Sequence, residues 1–137
     1  MMHAYTTMLR ILLIESDTPL RHVVARILMQ DGHEVHEVAD GAAGLELWHK
    51  HGADVVLIDI RKSATGSIEA VLELRTFVAT LPIIVMPETM ADLERLADAQ
   101  LVGSVNLLMK PFTVRELLAA VAAAGRSDSA DDSTRIA

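Results

Sequence analysis

The chain has no cysteine. That removes disulfides, thiolate metal sites and cysteine nucleophiles together, and leaves the redox compartment unindicated. Aromatic residues fill only 3% of the 137 positions, while 51% are hydrophobic, so the core has to be built from Leu, Ile, Val, Ala and Met. Basic residues are also scarce, 12 against 19 acidic ones, for a formal charge of −7. A general nucleic-acid surface needs Lys and Arg to neutralise phosphates, so this balance argues against direct nucleic-acid binding. It leaves a protein partner or a bound cation open. No apolar run approaches a membrane span, and residues 1–7 lack the basic start and long apolar stretch of a secretory signal. A cytoplasmic, non-membrane location is expected. No internal repeat is present, and one domain of this length buries about two-thirds of its unfolded surface.

What is present is an alternation of short aliphatic runs with helical patterns. The central run, residues 53–59, holds Val55, Val56, Leu57 and Ile58 in succession and ends on Asp59. Unbroken apolar character marks a strand covered on both faces, the usual state of a parallel strand between helical layers. Arg10, Ile11, Leu12, Leu13 and Ile14 form a second run that ends on Glu15, Ser16 and Asp17. Asp17 or Thr18 can cap the following helix, with Pro19 in its first turn. Leu20, Val23, Val24, Ile27 and Leu28 then recur at helical spacing, up to Asp31 and Gly32. Residues 33–38 are expected as an outer strand. Asp40 and Gly41 make a turn or cap, and Ala42, Leu45, Leu47 and Trp48 mark a second helix, which Trp48 packs.

Residues 60–67 have no periodicity and suggest a loop. Ile68, Val71 and Leu72 place a third helix to about Val78, and Ile83–Met86 a fourth strand between Pro82 and Pro87. A fourth helix is expected over residues 88–98 and a less regular fifth strand over residues 104–109. Thr113 and Glu116 have capping-box spacing for a last helix that stops at Gly125. The pattern gives residues 1–8 as an N-terminal extension, 9–125 as one domain, and 126–137 as a disordered tail or linker. Five strand–helix repeats predict an α/β fold with a mainly parallel sheet and helices on both faces.

Chemistry in such a sheet gathers beyond the carboxyl ends of the strands. Glu15, Asp59 and Lys110 all stand at such ends. Acids alone there would suit a divalent cation, whereas a facing lysine would also suit a transient phosphoryl group. Asp59 paired with Lys110 for structural reasons alone is the plainer alternative, and Glu15 has the same two readings. Asp17 and Asp40 suit helix caps. The histidines His3, His22, His33, His36, His49 and His51 have no ligand spacing tied to the acidic edge.

Over residues 10–124 the chain resembles the receiver domain of bacterial two-component response regulators. The resemblance rests on the strand from Ile11 through Glu15-Ser16-Asp17, on Ala39-Asp40-Gly41, on Asp54 through Asp59, on Pro82 through Met86, and on Lys110-Pro111-Phe112. It implies a CheY-like, flavodoxin-like doubly wound five-stranded parallel sheet of order 2-1-3-4-5. It also implies a phosphorelay role in which Asp59 accepts a phosphoryl group from a partner histidine kinase and Lys110 contacts it. Mg2+ would be bound by an acidic pair after the first strand, and the Lys110–Pro111 bond would be cis.

The chain departs from that pattern at several positions. The acidic pair falls on Glu15 and Ser16, so Mg2+ loses an anionic ligand and is expected to be weakly bound or absent, with Glu15 and Asp59 as what remains. The switch hydroxyl position falls on Pro87, which has neither hydroxyl nor N–H, and the aromatic switch position falls on Leu107. The loop after Asp59 carries Lys62-Ser63 where Met-Pro is usual, and Gly66-Ser67 where Asp-Gly is usual. Lys62 could swing over the site and supply cation charge, and Asp17 is a further accessory candidate. The combination implies an atypical receiver with a degenerate Mg2+ and phosphorylation site, acting mainly through protein–protein contact. Its partner would be a histidine kinase or another signalling protein, and a homodimer would use the face of helix four, strand five and helix five. The alternatives are a conventional Mg2+-dependent phosphoacceptor and a small phosphohydrolase or nucleotide-binding enzyme. The last is disfavoured because no glycine-rich loop follows the first strand.

Overall fold

The computed structural model describes residues 7–136, and side chains as far as residue 126. Its elements alternate as β1 (Arg10–Ile14), α1 (Thr18–Gln30), β2 (Glu34–Val38), α2 (Gly41–His51), β3 (Val55–Asp59), α3 (Ser67–Phe77), β4 (Ile83–Met86), α4 (Met90–Asp98), β5 (Asn106–Leu107) and α5 (Val114–Ile136). All strand pairs are parallel, in the order β2-β1-β3-β4-β5. The parallel α/β sheet is what the alternating pattern predicts, and its strand order is the CheY-like one that the resemblance implies.

Both faces of β3 are buried because successive side chains point to opposite sides. Val55 and Leu57 join Ile11, Leu13, Ile84 and Met86 against α1 and α5, where Leu28, Leu117 and Val121 close the layer. Val56 and Ile58 join Leu12, Ile14, Ile83 and Val85 against Val71 and Leu74 of α3 and Leu96 of α4. Burying one such aliphatic side chain contributes roughly 1.5–3 kcal/mol, so the two apolar layers dominate stability. On the second face, Trp48 of α2 stacks on Phe77 of α3 with ring centroids 5.6 Å apart.

Local signals set most element ends. Asp17 caps α1 by accepting the Leu20 N–H at 3.1 Å, and Asp40 caps α2 by accepting from Ala43 at 2.9 Å. At α5, the Thr113 N–H donates to Glu116 Oε1 at 2.8 Å and Glu116 N–H to Thr113 Oγ1 at 3.0 Å, the reciprocal box predicted from their spacing.

Three boundaries differ from the sequence pattern. First, α4 begins at Met90 rather than residue 88, because Thr89 and Asp92 form a capping box there. Second, β5 is two residues long rather than six. Gly103 turns with φ +93, the Ser104 N–H and hydroxyl both donate to the Leu101 carbonyl, and this turn takes up the residues before Asn106. Beyond Leu107 the backbone still follows β4, with Leu108 N–H donating to Val85 O at 2.9 Å and Lys110 N–H to Pro87 O at 2.8 Å. Third, α5 passes Gly125 and continues to Ile136. A Cβ at Gly125 would lie 3.2 Å from Leu9 Cδ1, so this glycine lets the helix lie close to the chain before β1 and does not end it. The backbone of the segment expected as a tail or linker is therefore helical to Ile136, while its side chains, and residues 1–6 of the expected N-terminal extension, lie outside the described residues.

At the start of α2, a Cβ on Gly41 would fall 2.2 Å from the Gly66 carbonyl oxygen, which is backbone and cannot rotate away. Gly44 meets side chains rather than backbone, Ile14 closely and Val38 at 3.8 Å. Gly41→Ala is therefore expected to cost about 1–3 kcal/mol, as overpacking does, despite the better helix propensity of alanine. Gly44→Ala is expected to cost less. Equilibrium urea unfolding of both variants checks the ranking.

Candidate functional site

The parallel register brings the carboxyl ends of β1, β3 and β4 to one edge, where Glu15, Asp59 and Pro87 follow or end their strands. Lys110 reaches the same edge along the backbone after β5, and the Lys110–Pro111 bond that follows it is cis. Its Nζ lies 3.2 Å from Asp59 Oδ1 and 2.8 Å from Glu15 Oε1. The first contact is an aligned hydrogen bond. The second is an ion pair without hydrogen-bond alignment, which leaves Glu15 Oε1 unbonded. Glu15 Oε2 accepts the Asp17 N–H at 2.9 Å.

A residue that the sequence pattern did not single out completes the group. Arg61 lies two positions beyond Asp59, and its guanidinium turns back over the carboxylate. Nε is 3.2 Å from both Asp59 oxygens and Nη2 is 3.2 Å from Oδ2. The Arg61 backbone N–H also donates to Oδ1 at 3.1 Å. Nη2 lies 3.5 Å from Glu15 Oε2, and Nη1 lies 3.9 Å from Glu88 Oε1. Ser16 joins these groups: its hydroxyl donates to Asp59 Oδ2 at 2.7 Å and accepts from Arg61 Nη2 at 2.9 Å.

Asp59 is consequently saturated. A carboxylate offers about four lone-pair sites on its two oxygens, and here they receive Ser16, the Arg61 side chain and backbone, and Lys110. Burial by itself favours the neutral acid, but the Ser16 and Arg61 hydrogen bonds and the Lys110 charge override it and hold the Asp59 carboxyl well below the usual range. Glu15 shifts the other way. Burial pushes its carboxyl up, the Asp59 charge adds to that, and the Lys110 and Asp17 contacts offset it only in part.

Glu15, Ser16, Asp59 and Lys110 meet, then, while the other candidates fall outside the group. Lys62 is exposed and takes no part in the network. In an extended segment, side chains at i and i+2 share a side, so the residue placed to face Asp59 was Arg61. Asp17 caps α1 with its carboxylate and contributes only its N–H. Pro87 is buried and uses its carbonyl to hold Lys110, and Leu107 is exposed on β5. The site is tied to α4 by Arg95, whose guanidinium donates to the Ile60 carbonyl and pairs with Asp92.

Residues 11–122 match the family profile described as the response regulator receiver domain. The sensory transduction protein RegX3 of Mycobacterium tuberculosis (strain ATCC 25618 / H37Rv) is 29% identical over 126 residues, covering 92% of this chain and 55% of RegX3. The chain thus spans about half the length of that relative. Among solved structures, NtrX from Brucella abortus superposes with a TM-score of 0.83 at 20% identity, over 94% of this chain and 30% of that one. The chemotaxis response regulator CheY4 of Vibrio cholerae gives 0.73 at 27% identity, over 86% of this chain and 99% of that one.

Because the Asp59 carboxyl is depressed, acid protonates the unfolded chain before the folded one. The stability it provides is complete above the ordinary carboxylate value of 3.8 and is lost as pH falls through the lower folded value. Arg61→Ala is expected to cost about 1.5–3 kcal/mol at pH 7, the range for hydrogen bonds to a charged group. The gap to wild type is expected to narrow below about pH 4, where the variant takes up a proton first. Chemical unfolding of both proteins at pH 7 and pH 3 measures it.

Proposed function

Since the chain belongs to the response regulator receiver domain family of two-component signalling, we propose that it is an atypical receiver whose acceptor edge is held in its unmodified state and which signals mainly through protein contact. One observation carries this reading: every acceptor position on Asp59 already has a donor. Attack on a phosphoryl donor would require Ser16 or Arg61 to be displaced first. The two positions that would report the modification support the same reading. Pro87 has no hydroxyl to move, and Leu107 has no ring to fill the space left behind.

On this reading the partner is a histidine kinase or another signalling protein, met in the cytoplasm. No described helix is long and apolar enough to cross a membrane. The contact surface is the face made by α4, β5 and α5. Met90, Val102, Leu107, Met109 and Val114 are exposed on this side of the molecule, apolar side chains that a partner could cover. A second copy of the chain or an effector would cover it.

A conventional phosphoacceptor is the second reading, favoured by the ionised state of Asp59 and by Lys110 at 3.2 Å. Incubation with acetyl phosphate, with and without Mg2+, followed by intact mass spectrometry separates the two. The expected result is no adduct on wild type beyond that on Asp59→Ala. A stoichiometric added phosphoryl group, lost in Asp59→Ala, would establish the conventional reading instead. Sustained hydrolysis of nucleotides or phosphate esters would remove both.

A further inference from the structure

We propose that the Arg61 guanidinium is a built-in counter-ion occupying the place of a divalent cation, so that the wild-type acidic edge does not take up Mg2+ or its analogues. The inference rests on the receiver reading above and names what holds its site closed.

Position is the first support. Arg61 Nη2 lies 3.2 Å from Asp59 and 3.5 Å from Glu15, in contact with both of the buried carboxylates that would have to hold a cation at this edge. The second support is the supply of oxygens. A hard cation such as Mg2+ requires near-octahedral oxygen ligation, and the described residues hold no cluster of three His, Cys, Asp or Glu side chains suited to a metal. Glu15 Oε1 has no hydrogen-bond partner but faces the Lys110 ammonium at 2.8 Å, and the other nearby oxygens are committed. Ser16 Oγ accepts from Arg61, the Ile60 carbonyl accepts from Arg95, and the Asp17 carboxylate caps α1. The residues present therefore do not fit a resident Mg2+.

Charge is the third support. Glu15 and Asp59 supply two negative charges, and Lys110 and Arg61 supply two positive ones. The group is neutral as it stands. A divalent ion added to it would leave two uncompensated charges where Glu15 and Asp59 are each within 1% of full burial, and charge in that environment has little water to relieve it. Removal of Arg61 leaves one net negative charge. A carboxylate at position 16 in addition leaves two, which a divalent ion would balance.

Mn2+ serves as the probe, followed by electron paramagnetic resonance of the free ion, with Mg2+ as competitor. Wild type is expected to show no saturable binding in the millimolar range. Arg61→Ala is expected to gain a Mn2+ site, and Ser16→Asp combined with Arg61→Ala to bind about tenfold or more tighter again, as a unit charge a few ångströms away dictates. Arg61→Lys keeps the charge and is expected to stay closed, whereas a merely space-filling role would let it open. Far-UV circular dichroism confirms that each variant is folded. Saturable Mn2+ binding by wild type would overturn the proposal, and so would binding by folded Arg61→Lys equal to that of Arg61→Ala, or a folded double variant that ignores Mn2+. The two proposals fail separately. Phosphoryl uptake by a wild type that ignores Mn2+ ends the closed-acceptor reading alone, and Mn2+ binding without uptake ends this one alone.

Discussion

Two carboxylates buried together at the end of a hydrophobic sheet set the constraint that the rest of this edge has to meet. Glu15 and Asp59 are both almost fully buried, and an unpaired buried charge is among the most costly features a protein can contain. Lys110 from one side and Arg61 from the other meet that requirement. The opposite displacements of the two carboxyls follow from how the donors are shared. Asp59 collects most of the hydrogen bonds, while Glu15 is left with one backbone N–H and a poorly aligned ammonium.

The parallel sheet is what forces the acids together. A parallel ladder aligns the carboxyl ends of neighbouring strands, so residues that end separate strands become neighbours whatever their separation in sequence. The alternating faces of β3 then put Leu57 into one apolar layer and Ile58 into the other. The loop leaving β3 is anchored at its first two residues, by the Ile60 carbonyl to Arg95 of α4 and by Arg61 to the acids. The contact from Arg61 to Glu88 reaches the segment that leads into α4. Charge at the edge and the position of α4 thus share the same few residues.

Much of this was readable from residue types alone. Aliphatic runs ending on acids placed Glu15 and Asp59 at one edge, and Lys110 before a proline joined them. Arg61 was not, because a loop without periodicity gives no sign of which side chain turns inward, and Lys62 carries the same charge one position later. Only the i, i+2 relation to Asp59 separates them. The fifth strand was overestimated because its apolar residues also suit a turn and an exposed edge, and Gly103 with Ser104 selects the turn. Gly125 misled for a different reason. A glycine near a helix end usually signals a stop, but here it accommodates Leu9, a tertiary contact that no local pattern records.

The stacked pair of Trp48 and Phe77 has a practical consequence. The chain has a single tryptophan, and it sits near the C-terminal end of α2 against the last residue of α3. In a right-wound α/β sheet those helix ends lie at the rim opposite the carboxyl ends of the strands. Intrinsic tryptophan fluorescence therefore monitors how the two helices dock at that rim, and an optical probe placed directly at the Asp59 edge has to be introduced from outside.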